Sequence, residues 1–443
     1  MRLLFLEIEA ERDWSLASVG PAALGAAARQ HGHDVALLSV PLHAALHTVV
    51  EQVRRRAPHL LGVSLTTRQW HRARTVMAAL RAELDIPCIA GGLHPTFAPE
   101  AVLAASGIDL VCLGEGDEAL IELLDIMERG AGLDDLPDID NIWRAGRVRP
   151  KLRPPVADLD RLPPMARDLL AEPHGVVHIT TQRGCPFPCT YCGARQFADL
   201  YDGGYRSYGR RRSVDNVLDE LESLAEQGAC WVTFLDDTFT LHHGWLRRFL
   251  PAYQDRVGLP FSIHARVETI TPRLLDDLKA AGCAHVVYGV ESGSRRIRYE
   301  VMQRPVENDR FDAIFSETRA RGMLVTANYM LGLPTETPAD LAATFALDAR
   351  LEPDDFGFFV FYPYPGTALY KRCVELDLLP DDHAERPAHH RRSTLQLKHL
   401  TPAQLDAAYA RFTHIRAERA ARRAPPAQAE QSRRVIEASA ALG

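Results

Sequence analysis

Short apolar runs alternate with amphipathic stretches over the first 130 residues. RLLFLEI, DVALLSV, LLGVSLT, PCIAGG and IDLVCLG read as strands. Gly20 to His31, a stretch through Val53, Gln69 to Leu84, Pro99 to Ala105 and Ala119 to Arg129 read as the helices between them. Strand–helix alternation with glycine at strand ends predicts an α/β domain over 1–130, a Rossmann-like doubly wound parallel sheet. Ligands of such sheets bind beyond the carboxyl ends of the strands. Here those ends carry Ser64 to Arg68, Gly91 to Pro95, and Gly114–Glu115–Gly116. The alternation stops over 131–172, where acidic and proline-rich pieces flank a hairpin-like IWRAGRVRP and read as a linker.

A second alternation fills 173–375. Its six strands are VVHITT, WVTFLDD, FSIHARV, HVVYGVES, LVTANYMLG and FGFFVFY. Helices are expected at Ser213–Gln227, His243–Arg256, Thr271–Gly282, Arg310–Gly322 and Pro338–Leu351, with Ser213 as an N-cap. Five βα units and a sixth strand predict a partial (β/α)6 TIM-like barrel, with reactive groups at the carboxyl ends of its strands. Residues 376–443 read as a C-terminal helical region. Its Arg/Ala-rich tail after His414 reads as a solvated helix broken at Pro425 and Pro426.

The chemistry concentrates at the barrel strand ends. Cys185, Cys189 and Cys192 lie in QRGCPFPCTYCG, just past the first strand. A Pro- and Gly-bent loop can aim three thiolates at one point, as zinc or an iron–sulfur cluster requires. A structural zinc site wants four closed ligands, whereas three cysteines on a cubane leave one iron open. The second strand ends in Asp236 and Asp237, able to orient a substrate hydroxyl or amine or to cap a turn. The third ends His264–Ala265–Arg266, where His264 is a proton donor or a core histidine. The fourth ends in Glu291, a carboxylate flanked by glycines.

CxxxCxxC with Tyr191 before the last cysteine resembles the signature of the radical S-adenosylmethionine (SAM) superfamily. The resemblance implies a 4Fe–4S cluster whose open iron chelates SAM. One electron cleaves the cofactor to methionine and a 5′-deoxyadenosyl radical, which takes a hydrogen atom from substrate. It further implies that Tyr191 contacts the adenine side and Arg266 faces the SAM carboxylate or the cluster. Glu291 and Ser292 in GVESGS would hold the ribose, and Leu331 in YMLGLPTET would support the adenine. Tyr362 and Tyr364 in the closing FYPYPGT would line the substrate cavity or simply close the barrel bottom, and Cys373 could quench a substrate radical. The first domain resembles the cobalamin-binding domain that precedes many such barrels, through GVSL at Gly62–Leu65, GGLHPT at Gly91–Thr96 and GEGDE at Gly114–Glu118. Ser64, Gly91 and Gly92 are then the expected corrin contacts. No DxHxxG loop supplies a lower axial histidine. Arg12, Asp13 and Trp14 after the first strand, and Arg68, Gln69 and Trp70 after the third, could crowd a corrin face. A Rossmann-like cap without cofactor is the alternative.

Composition bounds the rest. Hydrophobic content of 46% and charged content of 25% are those of a globular protein. The N-terminus meets acidic residues too early for a signal peptide, and no apolar run reaches membrane-spanning length. Cysteines without a disulfide-like pattern point to the cytoplasm. A net charge of −7 argues against a nucleic-acid partner, although Tyr205 to Arg212 is locally basic. Cys88, Cys112, Cys230 and Cys283 read as small buried hydrophobes. The expected protein acts on a small molecule, in natural-product (antibiotic) assembly, with a flavodoxin- or ferredoxin-type electron donor. Two chemistries compete. Cobalamin-dependent methyl transfer to carbon or phosphorus stands slightly ahead of radical dehydration or epimerisation of a polyol or aminosugar. A non-catalytic metal or cobalamin sensor is the third reading.

Overall fold

A computed structural model describes residues 1–9, 19–170, 172, 175–389 and 391–422. The chain divides into two compact units. The first comprises Met1–Ala171 with the short pieces Asp199–Tyr208 and Glu385–Ala388; the second holds the remainder.

The first unit is built on six strands: β1 (Arg2–Ile8), β2 (Asp34–Val40), β3 (Leu60–Ser64), β4 (Cys88–Gly91), β5 (Leu110–Cys112) and β6 (Ile142–Arg144). Their order is β2-β1-β3-β4-β5-β6, parallel except for the last. Alternation along β1 shows why the sheet is doubly wound. Leu4, Leu6 and Ile8 enter one core with Val49, Val53 and Trp70; Leu3 and Phe5 enter another with Ala22, Leu120 and Leu123. Period-2 apolar residues on both faces need helices on both sides. The order reverses direction between β1 and β3, the crevice where such sheets bind ligands.

Segment 131–170, read from composition as linker, belongs to this first unit. Leu136, Ile139, Ile142, Leu169 and Leu170 are buried in its core, and Ile142–Arg144 closes the sheet edge antiparallel to β5. Proline and acidic density hid apolar residues that are too widely spaced to show a period.

The second unit carries β7 (Val176–Ile179), β10 (Trp231–Phe234), β11 (Phe261–Ala265), β12 (Cys283–Glu291), β13 (Leu324–Leu331) and β14 (Asp355–Val360), parallel and adjacent in chain order. A two-residue hairpin, β8 (Gln182–Arg183) with β9 (Arg210–Arg211), stands apart. This is the expected open six-stranded half barrel. Phe234, Ile263, Tyr288, Tyr329 and Phe356 point outward to the helices and form the main core. Ser213 does cap its helix, its hydroxyl accepting from the Asn216 N–H at 3.2 Å. Thr271 and Thr337 cap the helices at Pro272–Ala280 and Pro338–Leu351, each with proline at the first position.

The helix Pro402–Arg422 is no solvated tail. Leu405, Ala408 and Phe412 lie in the main core. Arg416 grips both Asp355 oxygens at 3.0 Å, and Arg419 pairs with Asp348, which is 1% exposed. Pro425 and Pro426 lie outside the described residues, as do Arg12, Asp13 and Trp14. Among the described residues no helix is long and apolar enough to cross a membrane.

Candidate active site

The three cysteines sit in the loop that leaves β7. Asp236 fixes the start of that loop: its carboxylate accepts from the Thr181 and Gln182 N–H groups at 2.7 and 3.0 Å and from the Thr181 hydroxyl at 2.6 Å. Farther along, the Thr190 N–H donates to Met302 O at 3.2 Å and its hydroxyl to Val301 O at 2.6 Å. Cys185 and Cys189 are buried and Cys192 is partly exposed. Burial pushes the Cys192 thiol up to about 12 and raises Cys185 as well. Free thiols here hold their protons, and metal binding releases them.

The sulfur spacing tests the choice of metal. Among the described residues, the trio of ligand atoms closing to within 4.8 Å of one another is His33, Asp125 and Glu128. At least one pair of the three sulfurs therefore stands farther apart than that. A single tetrahedral zinc at about 2.3 Å from each sulfur would hold them closer than about 4 Å. A wider, three-thiol donor set fits a cubane cluster.

A charged chain runs from these sulfurs to Tyr191. Arg266 donates to Cys189 Sγ at 3.0 Å, lies over the Phe187 ring with its guanidinium carbon 3.8 Å from the centroid, and pairs with Glu268. Glu268 faces Arg304 at 3.5 Å, and Arg304 donates to Glu291 Oε1 at 3.2 Å. Tyr191 lies close enough to Glu291 to feel its charge. Burial, with that carboxylate beside it, holds the Tyr191 phenol well above its ordinary value, so it stays neutral. Burial opposes ionisation of Glu268, but the flanking guanidiniums of Arg304 and Arg266 hold it below the usual carboxylate range. Glu291 has a backbone φ of +68°, an uncommon conformation for a non-glycine residue, which signals a constrained site. A Cβ added at Gly289 would lie 2.3 Å from Glu291 Oε1, so the glycine leaves room for this carboxylate to fold back. Arg304 is 2% exposed, and its Nε and Nη2 have no hydrogen-bond partner among the described residues. Orphaned donors beside a half-open carboxylate fit a polar cofactor such as SAM.

Several expected roles are corrected by the geometry. All three hydrogen bonds to Asp236 come from the loop, so it is a positioning residue and not a substrate ligand. Ser292 is fully buried; its hydroxyl meets Thr344 Oγ1 at 3.3 Å and accepts from the Ser294 N–H. It pins the loop to the helix Pro338–Leu351 instead of touching ribose. Leu331 is fully buried in the helix-facing core, on the wrong side of the sheet for adenine. Its neighbour Met330 takes the concave face and is partly buried against the cluster that holds Met302 and Leu333. Cys373 is fully buried among Phe361, Leu369 and Leu378, closed off from any substrate.

Other expected residues do reach the concave side. Asp237 is solvent-accessible yet walled by protein, its carboxyl raised to about 6 by burial and by Asp236, and its charge bears on Cys185 and Cys192. His264 is half-buried, and burial lowers it to about 4, so it is a neutral imidazole and no cationic acid at neutral pH. Tyr362 lies past the end of β14, 5.3 Å from the Tyr364 ring and stacked on His383 at 5.4 Å. Glu268 and Arg304 were missed by sequence reasoning. Glu268 stands two residues past Arg266, a signal that was there; Arg304 lies in a loop with no periodic cue.

In the first unit, Ser64 and Gly91 pair in register at the ends of β3 and β4. Gly92 has φ +96°, and a Cβ there would sit 2.9 Å from the Leu65 nitrogen and 3.1 Å from Ser64 Oγ. Leu93, next in line, is 43% exposed. Small residues at the strand ends, with an exposed leucine beside them, leave a low shelf of the kind one face of a flat macrocycle needs. Of Arg68, Gln69 and Trp70, expected to crowd this end, the last two turn away. Gln69 turns into the capping box of the helix Thr67–Glu83, and Trp70 is buried against His94 with ring centroids 4.9 Å apart.

These two strand-end sites, one a wide-set thiol trio beside an Arg–Glu chain, define a radical SAM fold joined to a ligand-binding Rossmann unit. The comparisons agree: residues 179–347 match the model of the Radical SAM superfamily and residues 10–124 that of the B12 binding domain. The chain thus carries a radical SAM domain behind an N-terminal cobalamin-binding-like domain. It is 29% identical over 376 residues to an uncharacterized methyltransferase of Pyrococcus horikoshii, covering 82% of this chain and 79% of that one. It is 26% identical over 340 residues to the anaerobic magnesium-protoporphyrin IX monomethyl ester cyclase of Rubrivivax gelatinosus, covering 73% and 60%. Its fold resembles the radical S-adenosylmethionine methyltransferase TsrM of Kitasatospora setae, solved with cobalamin and a [4Fe-4S] cluster bound. There the TM-score is 0.68 at 20% identity, over 85% of this chain and 75% of that one.

Proposed function

We propose that this enzyme is a cobalamin-dependent radical SAM methyltransferase acting on a small organic substrate. The observation that carries the reading is the cleared shelf at Ser64, Gly91, Gly92 and Leu93, in a chain whose other unit holds the three-cysteine site. The methyltransferases among its relatives support it. The polyol or aminosugar alternative leaned on Asp236, Asp237 and Glu291 as free carboxylates, and Asp236 and Glu291 are engaged by neighbours.

When bound, the cluster supplies an electron for SAM cleavage and the corrin supplies a methyl carrier. Cys185, Cys189 and Cys192 would hold the cluster. Arg266, donating to the Cys189 sulfur, places positive charge beside the thiolates and stabilises their deprotonated form. Glu291 accepts hydrogen bonds from hydroxyls brought near it, with Arg304 fixing its orientation. The neutral His264 can accept or donate one proton in a hydrogen bond but carries no charge. Ser64, Gly91 and Gly92 would lie against the corrin.

Anaerobic reconstitution with iron, sulfide and hydroxocobalamin tests the proposal. Gel-filtered protein should retain about one corrin and four irons per chain and pass a labelled methyl group from SAM to a product. A protein that cleaves SAM yet excludes corrin overturns the methyltransferase reading.

A further inference from the structure

The concave face of the half barrel has a polarity that bears on what it binds. Strand parity places Thr233, Ser262, His264, His285, Thr326 and Asn328 on this side, opposite the helix-facing core. The deeper groups pair in part: Ser262 Oγ donates to Thr233 Oγ1 at 3.2 Å, and His285 Nε2 meets Thr326 Oγ1 at 2.8 Å, while His285 Nδ1 is buried without a partner among the described residues. Nearer the mouth, the charged groups face one another, and the two Arg304 donors unpartnered among the described residues lie at the cofactor end beside Glu291. Glu268 and Glu291 face Arg304, Arg266 faces Glu268, and Asp236 holds the cysteine loop. An ion entering here would lose its water without gaining a free counter-charge, apart from Asp237 near the cysteines.

One group stands ready. Asn328 is half-buried, and its carboxamide has no hydrogen-bond partner among the described residues. Its neighbours in register on β12 and β14 are both glycines, Gly289 and Gly357. A Cβ at Gly357 would lie 2.7 Å from Asn328 Oδ1 and 2.9 Å from the Phe359 ring, so the carboxamide and the ring share the space that glycine vacates. Met330, two residues on, is half-buried on the same side. A carboxamide offering a donor and an acceptor, between an aromatic ring and a thioether, is a binding pattern of apolar walls with few convergent polar groups.

Building on the proposed methyltransferase reading, we infer that the substrate moiety seated in the half barrel is uncharged and planar, a heteroaromatic ring or aryl amide. Its donor–acceptor edge is read by Asn328. Phosphorylated, carboxylated and cationic moieties are excluded from this seat.

The test is direct binding to reconstituted, SAM-loaded protein, followed by ligand-observed NMR with matched pairs. Nicotinamide is paired with nicotinate, and indole-3-carboxamide with indole-3-carboxylate. The amides should bind at least about tenfold more tightly than the acids. Asn328→Leu should weaken the amides about tenfold, the effect of about 1.4 kcal/mol. It should leave cluster absorbance and SAM affinity unchanged. Gly357→Ala, which crowds the carboxamide, should do the same. The inference is overturned if the acids bind as well as the amides, if no amide binds at millimolar concentration, or if Asn328→Leu leaves amide binding intact. It is also overturned if that variant loses SAM instead, which makes Asn328 a cofactor contact. None of these outcomes touches the methyltransferase reading, which stands or falls on corrin retention.

Discussion

Replacing Asp236 by alanine separates a positioning role from a catalytic one. The side chain is 2% exposed and is the acceptor for two backbone N–H groups and one hydroxyl at 2.6 to 3.0 Å. The substitution leaves three buried donors without partners. Each orphan costs about 1–3 kcal/mol, so the low end of that range sums to about 3 kcal/mol. For a unit of this size, about 2 °C per kcal/mol gives a melting temperature lowered by about 6 °C. The assay is thermal unfolding of the cluster-free protein, where no catalytic role can contribute, followed by iron counting after reconstitution. Asp236→Asn, whose amide oxygen still accepts from the N–H pair, should lose less than half as much. Asp237→Ala, at an exposed carboxylate, should move the midpoint by about 1 °C or less. An Asp236→Ala protein that melts with wild type and loads iron normally refutes the reasoning.

Three further outcomes follow from the geometry. Gly289→Ala, whose Cβ would lie 2.3 Å from Glu291 Oε1 and 2.9 Å from Arg304 Nη1, should weaken SAM binding at least tenfold in equilibrium dialysis while sparing the cluster's visible absorbance. Glu336 is 1% exposed, accepts from the Gly332 and Leu333 N–H groups, and is raised to about 8 by burial. The folded protein therefore keeps a proton that the unfolded chain releases near 4.5, and stability falls as pH rises from that value through about 8. Glu336→Gln should melt above wild type at pH 9 and level with it at about pH 4, as read by calorimetry. Arg419→Met strands the buried Asp348 carboxylate and should cost about 3–5 kcal/mol in denaturant unfolding; a loss under 1 kcal/mol would contradict the docked helix.

The alternation of strands and helices was legible because each strand feeds one face or both with period 2, and a helix follows to cover it. The three cysteines were legible because their spacing is local. Side-chain roles at strand ends were harder to read. Leu331 and Met330 differ by one position, and parity alone decides which faces the cavity; Leu331, expected to face the cofactor, is the one that faces the helices. Asp236 and Ser292 stand where reactive groups stand, but their partners lie 55 and 52 residues away in sequence. Arg304 and Asn328 carry no local pattern, since what marks them is an unsatisfied donor set and a pair of in-register glycines on other strands. The Arg/Ala-rich stretch after His414 was read as solvated from its charge, whereas Arg416 and Arg419 pair with Asp355 and Asp348, and Leu405, Ala408 and Phe412 earlier in the same helix supply an apolar stripe at helical spacing.

The most direct measurement is electron paramagnetic resonance of the reduced, reconstituted protein, with and without SAM labelled with 15N and 13C at its amino and carboxylate groups. The account predicts a cluster signal that shifts on adding SAM and shows hyperfine coupling to both labels. A signal indifferent to SAM, or a preparation carrying zinc and no paramagnetic cluster, contradicts it.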